Sequence, residues 1–477
     1  MKKSTILFLS LVLTAGFVKA EDVVTAGTGV TYTLESLSGL DGSGVAKDGK
    51  VYTMNNSVTI SAGDRFELES GATIKMGTDV ELRIEGTASL AATDRVLVTR
   101  ADEEAEPRGI FMDCATAVTE VKNIDFEYAG LRNLSETGLD IENCSFRFNN
   151  GKMTTVGALG LGGNGASFVV KDCIFEYNTV PAIGGAVSYT NGIEIDNCTF
   201  TDNNTSNTNK PQVNLSAPGA LKVVVKNSQF NGAERTMVGA LAIANMMSVA
   251  GDNVVEIVNN DIKDHRYGVT LYGALNATID NNRIIDNKYA SSAMMGGAGI
   301  SIYDYGTKPN VTVKNNTIEG NMWGITVIGG ETVNIGTEAA PGHNKFRDNG
   351  NNGELYDLYN NSTLTVYAQG NNWGVYEQTE EKIETVIFHK NDDTKLGEVL
   401  FMPAWDGKDG VANVAADAAR YANGVVTAEG ASISVYTLSG ALVKTAEGEA
   451  DLKALAPGTY IVRVASAQGA TALKCVR

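Results

Sequence analysis

The feature that most constrains this chain is a short segment that returns nine times. Each copy places a large apolar residue at a fixed point: Phe126, Phe146, Phe175, Phe200, Phe230, Ile262, Ile284, Ile318 and Phe346. These positions span 220 residues over eight intervals, a mean of about 27.5. A unit of that length, built of short alternating segments and carrying no helical periodicity, predicts one coil of an all-β solenoid. Such a coil cannot bury its apolar face alone and does so only by stacking on copies of itself.

The other recurring positions follow from that stacking. Coils lie about 4.8 Å apart, so equivalent residues form ladders along the axis. Three positions before the apolar residue stand Asn123, Asn143, Asp172, Asn197, Asn227, Asn259, Asn281 and Asn315. An amide at a turn can bond to turn backbone and to its copy on the next coil, so this column is expected to satisfy groups that would otherwise be buried unpaired. A second ladder runs three positions after the apolar residue, through Asn149, Asn178, Asn203, His265, Asn287, Asn321 and Asn349. Farther on, a glycine opens each following strand, as in Gly239-Ala240, Gly268-Val269, Gly299-Ile300 and Gly324-Ile325. Upstream, period-two alternation from Val58 marks the first coils, with 21–57 as an N-terminal cap. About eleven coils give a rod of roughly 50 Å.

The chain ends bear on compartment and partners. Lys2 and Lys3, an apolar run from Ile6 to Val18 and the small-residue pattern ending at Ala20 are expected to form a signal peptide, residues 1–20. No later run is long and apolar enough to cross a bilayer. The net charge is −18, with 56 acidic against 38 basic residues, which speaks against nucleic acid as a partner. A polyuronate would be repelled unless a cation bridged the two. The 52 glycines and 8 prolines suit a β-rich chain with many tight turns.

Three resemblances attach to these residues. The repeats resemble the right-handed parallel β-helix superfamily that includes pectate lyases and many secreted bacterial surface proteins, which implies a right-handed helix over 58–376 and leaves the activity open. The segment GNNWG at Gly370–Gly374, followed by an acidic loop and a last apolar strand, resembles the closing segment of such surface proteins and implies a C-terminal cap at 377–405. The elements ISVYTLSGALVKT from Ile433, LAPGTYIVRV from Leu455 and the terminal ALKCVR resemble the C-terminal sorting domain of the type IX secretion system of Bacteroidetes. That likeness implies a small antiparallel β-sandwich at 425–477, the type IX machinery as partner and a secreted or outer-membrane-attached location. Cys475 departs from the usual closing lysine-valine pattern, and residues 406–424 between cap and tag read as a linker.

Five cysteines occur, at 114, 144, 173, 198 and 475. Cys144, Cys173 and Cys198 share one column with Ile124 and Ser228 and match no zinc spacing, so a stack of small buried side chains is the expected reading over a metal or redox ladder. His265 sits in the second Asn column, which makes it a turn substitute before a catalytic group. Glu127, Arg147 and Glu176 share an outward column, and Asp261 lies over Arg283, both read as ion pairs of modest value. Asp264 and Asp286 would stack with no cation between them unless water, Arg266 or Ca²⁺ intervened.

Aromatic residues form the most suggestive site. Tyr267, Tyr289 and Trp323 stand five positions after the core residue, and Tyr272 and Tyr303 four past the strand glycine. Facing outward, they would make a flat platform beside Asp264, Asp286 and Arg266 suited to sugar faces; facing inward, they would be ordinary core. Tyr128, Phe148 and Tyr177 form a similar column read as core. The expected function is therefore non-catalytic: binding of an extracellular polysaccharide or host-surface glycan, adhesion, or a structural role. The alternative is a polysaccharide lyase or glycoside hydrolase, with Asp264, Asp286, Arg266 and Tyr267 as the residues to carry it and Ca²⁺ as the cofactor to consider.

Overall fold

A computed structural model describes residues 22–113, 120–407, 420–422, 424–466 and 469–476. The signal segment 1–20, Cys114 and most of the linker 406–424 lie outside the described residues. The chain divides into two compact units, Met1–Trp405 and Asp406–Arg477.

The first unit is a parallel β-helix with three faces. Its first face is one sheet of 14 parallel strands, running from Val23–Val24 to Ile387–Phe388, about 60 Å along the axis. The second face includes Ser167–Lys171, Val254–Val258 and Asn310–Lys314; the third includes Ile174–Glu176, Arg283–Ile285 and Lys345–Arg347. The nine repeat residues are Cα partners in unbroken sequence from Phe126 to Phe346, and none is more than 2% exposed. Phe126, Phe146, Phe175, Phe200 and Phe230 stack face to face, with centroids 4.6 to 5.1 Å apart. Trp373 closes the file by stacking on Phe346 at 4.9 Å. Burial of each side chain stabilises by about 1.5–3 kcal/mol.

The first Asn column has a different reason from the one expected. Asn123, Asn143, Asn197, Asn227, Asn259, Asn281 and Asn315 all adopt positive φ, between 51° and 60°, at the turn from second to third face. Asparagine tolerates this left-handed conformation better than other side-chain-bearing residues, which accounts for its recurrence. The side chains do stand in file, with Asn143 Nδ2 donating to Asn123 Oδ1 at 2.6 Å and Asn281 Nδ2 to Asn259 Oδ1 at 2.8 Å, but on the surface. The buried amide ladder is one residue later, at Asn260, Asn282, Asn316, Asn344 and Asn371. There each Oδ1 takes the backbone N–H of the residue below it on the preceding coil, as Asn260 does from Ser228 at 3.0 Å and Asn282 from Asn260 at 2.9 Å. Each Nδ2 reaches back to a carbonyl of the second face, as Asn282 does to Ile257 at 2.8 Å.

Cys144, Cys173, Cys198 and Ser228 belong to this same column, and the three thiols are free and buried. The hydrogen bond to Cys173, with burial, pushes the Cys144 thiol up; at Cys173 the bond to Cys144 acts downward but is outweighed by the contact with Cys198 and by burial, so both thiols lie above the ordinary range and are unreactive.

Both ends are closed by more than irregular chain. Val23–Val24 and Thr31–Thr33 already pair in parallel with Val58–Ile60 and Arg65–Glu67, so stacking begins inside the segment taken as a cap. The short helix Leu34–Ser38 supplies Leu34 and Leu37, both fully buried. Asp64, 1% exposed, accepts from the Thr25 hydroxyl at 2.6 Å and from the amides of Gly27, Gly29 and Val30, bonds that hold its pKa down at about 2. At the other end Ile387–Phe388 and Val399–Leu400 continue two faces past residue 376, because the final strand of the cap pairs with the helix as a further coil.

The second unit is a five-stranded antiparallel sheet. Its long strand Val425–Thr437 pairs with Arg420–Ala422, Leu442–Asp451 and Thr459–Ser466, and its register breaks between Thr427 and Ser432. That break lets the sheet curl around a core of Val426, Ile433, Val435, Leu452, Val462 and Cys475.

Candidate binding groove

Along each strand of the first face alternate residues point in and out. Val269 and Leu271, Ile300 and Ile302, and Ile325 and Val327 point inward and are fully buried. Their outward neighbours form two columns by register: Asn214, Ala242, Thr270, Ser301, Thr326 and Tyr359 in one, and Ser216, Ala244, Tyr272, Tyr303 and Ile328 in the other. Alanines beside the tyrosines leave a depression, and loops on both sides deepen it into a groove.

One chamber, of about 440 Å³, has Ala242, Ala244, Thr270, Tyr272, Ser301 and Tyr303 as its floor and Asn209, Arg266, Tyr267, Met246, Met295 and Tyr305 in its walls. A second, of about 280 Å³, lies between Tyr303 and Trp323, with Met294, Thr326, Ile328 and Tyr359 around it. Gly296, Ser301 and Tyr303 line both chambers, which are therefore adjacent.

The rings are stacked on each other and do not lie flat. Tyr272 and Tyr303 are 4.5 Å apart and 6° from parallel; Trp323 and Tyr359 are 5.0 Å apart and 19° from parallel. A ladder of stacked rings hides its faces internally and offers only the terminal ones, so the expected flat platform is replaced by two chambers ending on ring faces. Tyr267 packs edge-on at the wall, where a Cβ on Gly239 would sit 2.1 Å from its ring; glycine opens that strand because the ring needs the space. At Gly324 a Cβ would lie 2.3 Å from the carbonyl oxygen of Asp357 on the next coil.

Arg266 is held in the first chamber by neutral groups. Its Nε donates to the Met295 carbonyl at 3.0 Å and its Nη1 to Asn209 Oδ1 at 2.5 Å, and no carboxylate pairs with it among the described residues. The same loop is tied from the other side, where Trp323 Nε1 donates to the Ala293 carbonyl at 2.9 Å.

Three residues expected at this site stand elsewhere. Tyr289 donates its hydroxyl to Glu234 at 3.0 Å and lines neither chamber; burial and that bond raise its pKa to about 12. Asp264 and Asp286 occupy the left-handed turn after the third face, with φ of 64° and 53°, and line neither chamber. Lys288 Nζ lies 2.5 Å from Asp286 Oδ1, so the place considered for Ca²⁺ already carries a cation. Burial foremost, with Asp286 adding to it, raises the pKa of Asp264.

His265 is a ladder member. Its coil follows one with no Asn at this position, and Gln212 fills the gap from the first face: its Oε1 accepts from Asn203 Nδ2 at 2.6 Å, and its Nε2 donates to Asn231 O and lies 2.7 Å from His265 Nε2. With Nε2 accepting, the neutral ring carries its proton on Nδ1, and complete burial holds its pKa down at about 3. Tyr128, Phe148 and Tyr177, expected in the core, instead face outward from the left-handed turn, Phe148 being 40% and Tyr177 45% exposed. They stack along the surface, with Arg100 3.9 Å from the Tyr128 ring.

Glu384, His389 and Asp392, in the C-terminal cap, are close enough to suggest a metal site. His389 Nδ1 accepts the Val399 N–H at 2.8 Å, however, so Nε2 keeps its proton and donates it to Glu384 at 2.9 Å; the group is a hydrogen-bonded clamp.

Stacked parallel coils and an interior file define a right-handed parallel β-helix. A family model described as "Right handed beta helix region" matches residues 222–373. Among solved structures, the chain is similar to the periplasmic alginate epimerase AlgG, at 12% identity and a TM-score of 0.38 over 78% of this chain and 83% of that one. A single-substitution mutant of that enzyme gives 10% identity and a TM-score of 0.39 over the same shares. Likeness this remote carries no functional information. No curated protein matches the chain.

Sequence reasoning missed the methionines and Tyr359. Tyr359 was accessible in principle, since it pairs in register with Thr326, whereas Met246, Met294 and Met295 lie in loops outside any repeat.

Proposed function

We propose that this protein is a secreted or cell-surface β-helix protein that binds an extracellular polysaccharide or host-surface glycan in the groove of its first face, without catalysis. The observation that carries the reading is the composition of the lining: ring faces, hydroxyls and one arginine, with no Asp or Glu among the described residues of either chamber. Ring faces match the apolar faces of pyranoses, and Thr270, Ser301 and Thr326 offer a ladder of hydroxyls to sugar oxygens. Hydrolysis would need two carboxylates flanking the bond, and the lining supplies none.

A lyase reading draws on Arg266 and Tyr267, which share one chamber. It is the weaker of the two because burial raises the Tyr267 hydroxyl pKa, which makes it a poor base. The second unit, on this proposal, is a type IX sorting domain and the export address of the chain.

Affinity electrophoresis of the purified protein through gels containing a panel of polysaccharides tests the binding reading. Retardation is expected with at least one, and Tyr272→Ala or Trp323→Ala should weaken it about tenfold, from loss of stacking worth roughly 1–2 kcal/mol. No retardation across the panel, or release of unsaturated or reducing-end products on incubation, would overturn it. Deleting residues 425–477 should leave the protein unexported in a type IX-competent host.

A further inference from the structure

Resting on the glycan-binding reading, we infer that the groove selects a glycan carrying O-acyl substituents over the same chain without them, and that Met246, Met294 and Met295 are the residues that read the acyl groups. The argument begins with exposure. Met246 is 44%, Met294 96% and Met295 51% exposed, yet all three border the groove. Exposed thioether side chains in loops are a cost to solubility without a partner, and they suit apolar groups whose position varies, because methionine is unbranched, flexible and polarizable.

Their placement is fixed and does not follow from the repeat. Met294 lines the second chamber and Met295 the first, and Gly296, which follows them, lines both. Two side chains hold this tip over the groove: Arg266, through Nε and Nη2 to the Met295 carbonyl, and Trp323, through Nε1–H to the Ala293 carbonyl. Met246 enters the first chamber from the opposite wall, on the loop after Leu241–Ala244. A chain threading the groove therefore passes between thioethers while its rings meet Tyr272 or Trp323.

Charge narrows the class. The protein carries −18 overall, so a densely anionic chain is repelled on approach, and the lining offers it only Arg266 in return. A neutral sugar without substituents would leave the thioethers in contact with water and hydroxyls. An ester methyl group gives them an apolar partner, and its carbonyl oxygen gives the floor hydroxyls an acceptor.

The test uses the full protein and one polysaccharide in two forms: an O-acetylated glucomannan, and the same sample after mild alkaline deacetylation. Affinity electrophoresis and titration calorimetry should show about tenfold tighter binding to the acetylated form, the discrimination one additional apolar carbon provides in an apolar site. Met294→Gln together with Met295→Gln, which keeps length and adds polarity, should shrink that ratio toward one, and so should controlled peroxide oxidation to the sulfoxides. Equal binding of both forms, or a ratio unchanged by the Gln substitutions, overturns the inference while glycan binding stands. Binding of neither form, with no retardation by any other polysaccharide, removes the parent reading and the inference together.

Discussion

The two halves of the helix solve the same interior problem with different chemistry. From Phe126 to Phe230 the repeat residue is Phe and the turn column beside it holds Ile124, Cys144, Cys173, Cys198 and Ser228. From Ile262 to Ile318 the repeat residue is Ile and the same turn column holds Asn260, Asn282 and Asn316. The acceptors are equivalent: Cys144 and Cys198 thiols reach the Val121 and Val170 carbonyls at 3.6 and 3.4 Å, where Asn260 and Asn316 amides reach Val225 and Ile279 at 2.9 Å. A thiol makes only weak contacts, shared between two carbonyls, and leaves the core apolar, whereas an amide adds a bond to the next coil. The difference teaches that a solenoid column fixes a geometry and leaves open whether packing or hydrogen bonding fills it. The groove lies along the face where the amide half begins.

The junction between the halves is where that comparison can be broken most forcefully. His265 is buried and neutral, with a pKa held at about 3 against an ordinary 6.5. Because the unfolded chain takes up this proton first, stability from this group is fully present above pH 6.5 and is lost as pH falls toward 3, by roughly 4–5 kcal/mol. His265→Asn, which restores an amide to the ladder, should remove that component, seen as a flatter pH dependence of the urea midpoint than wild type; an unchanged slope would show that the histidine is not a neutral ladder member.

Within the Phe half, Phe175→Ala removes a ring held between Phe146 and Phe200 and should cost about 3–5 kcal/mol in equilibrium unfolding. A cost below that of the aliphatic Ile284→Val, about 0.5–1.5 kcal/mol, would contradict the stacked core. Across the halves, Asn282→Ala strips a partner from the Asn260 N–H and the Ile257 carbonyl and should cost about 2–4 kcal/mol. Cys173→Ala, in the matching position of the other half, should cost about 1 kcal/mol, since it loses only a weak bond and little volume. Equal losses at the two sites would mean that the amide ladder contributes no more than packing does.

Much of the architecture was legible because stacking turns sequence period into spatial adjacency. The Phe and Ile file, the second Asn ladder and the Asp261–Arg283 pair, at 2.8 Å, follow from period alone. The role of the first Asn column did not, because side-chain composition does not distinguish a left-handed turn from a buried ladder, and the buried amides lie a single residue away. Tyr128, Phe148 and Tyr177 were misplaced for the same reason: the left-handed turn, with φ of 55° to 60°, rotates them outward where an aromatic composition suggests core.

Sequence by itself determined the class of fold, the register and the interior file, since each is a consequence of residues recurring about 27.5 positions apart. Tertiary structure decided the site. Bringing Arg266, Tyr272 and Met295 to one chamber, and sending Asp264, Asp286 and Tyr289 elsewhere, depends on turn conformation and on loops of unequal length, and these carry no period to be read.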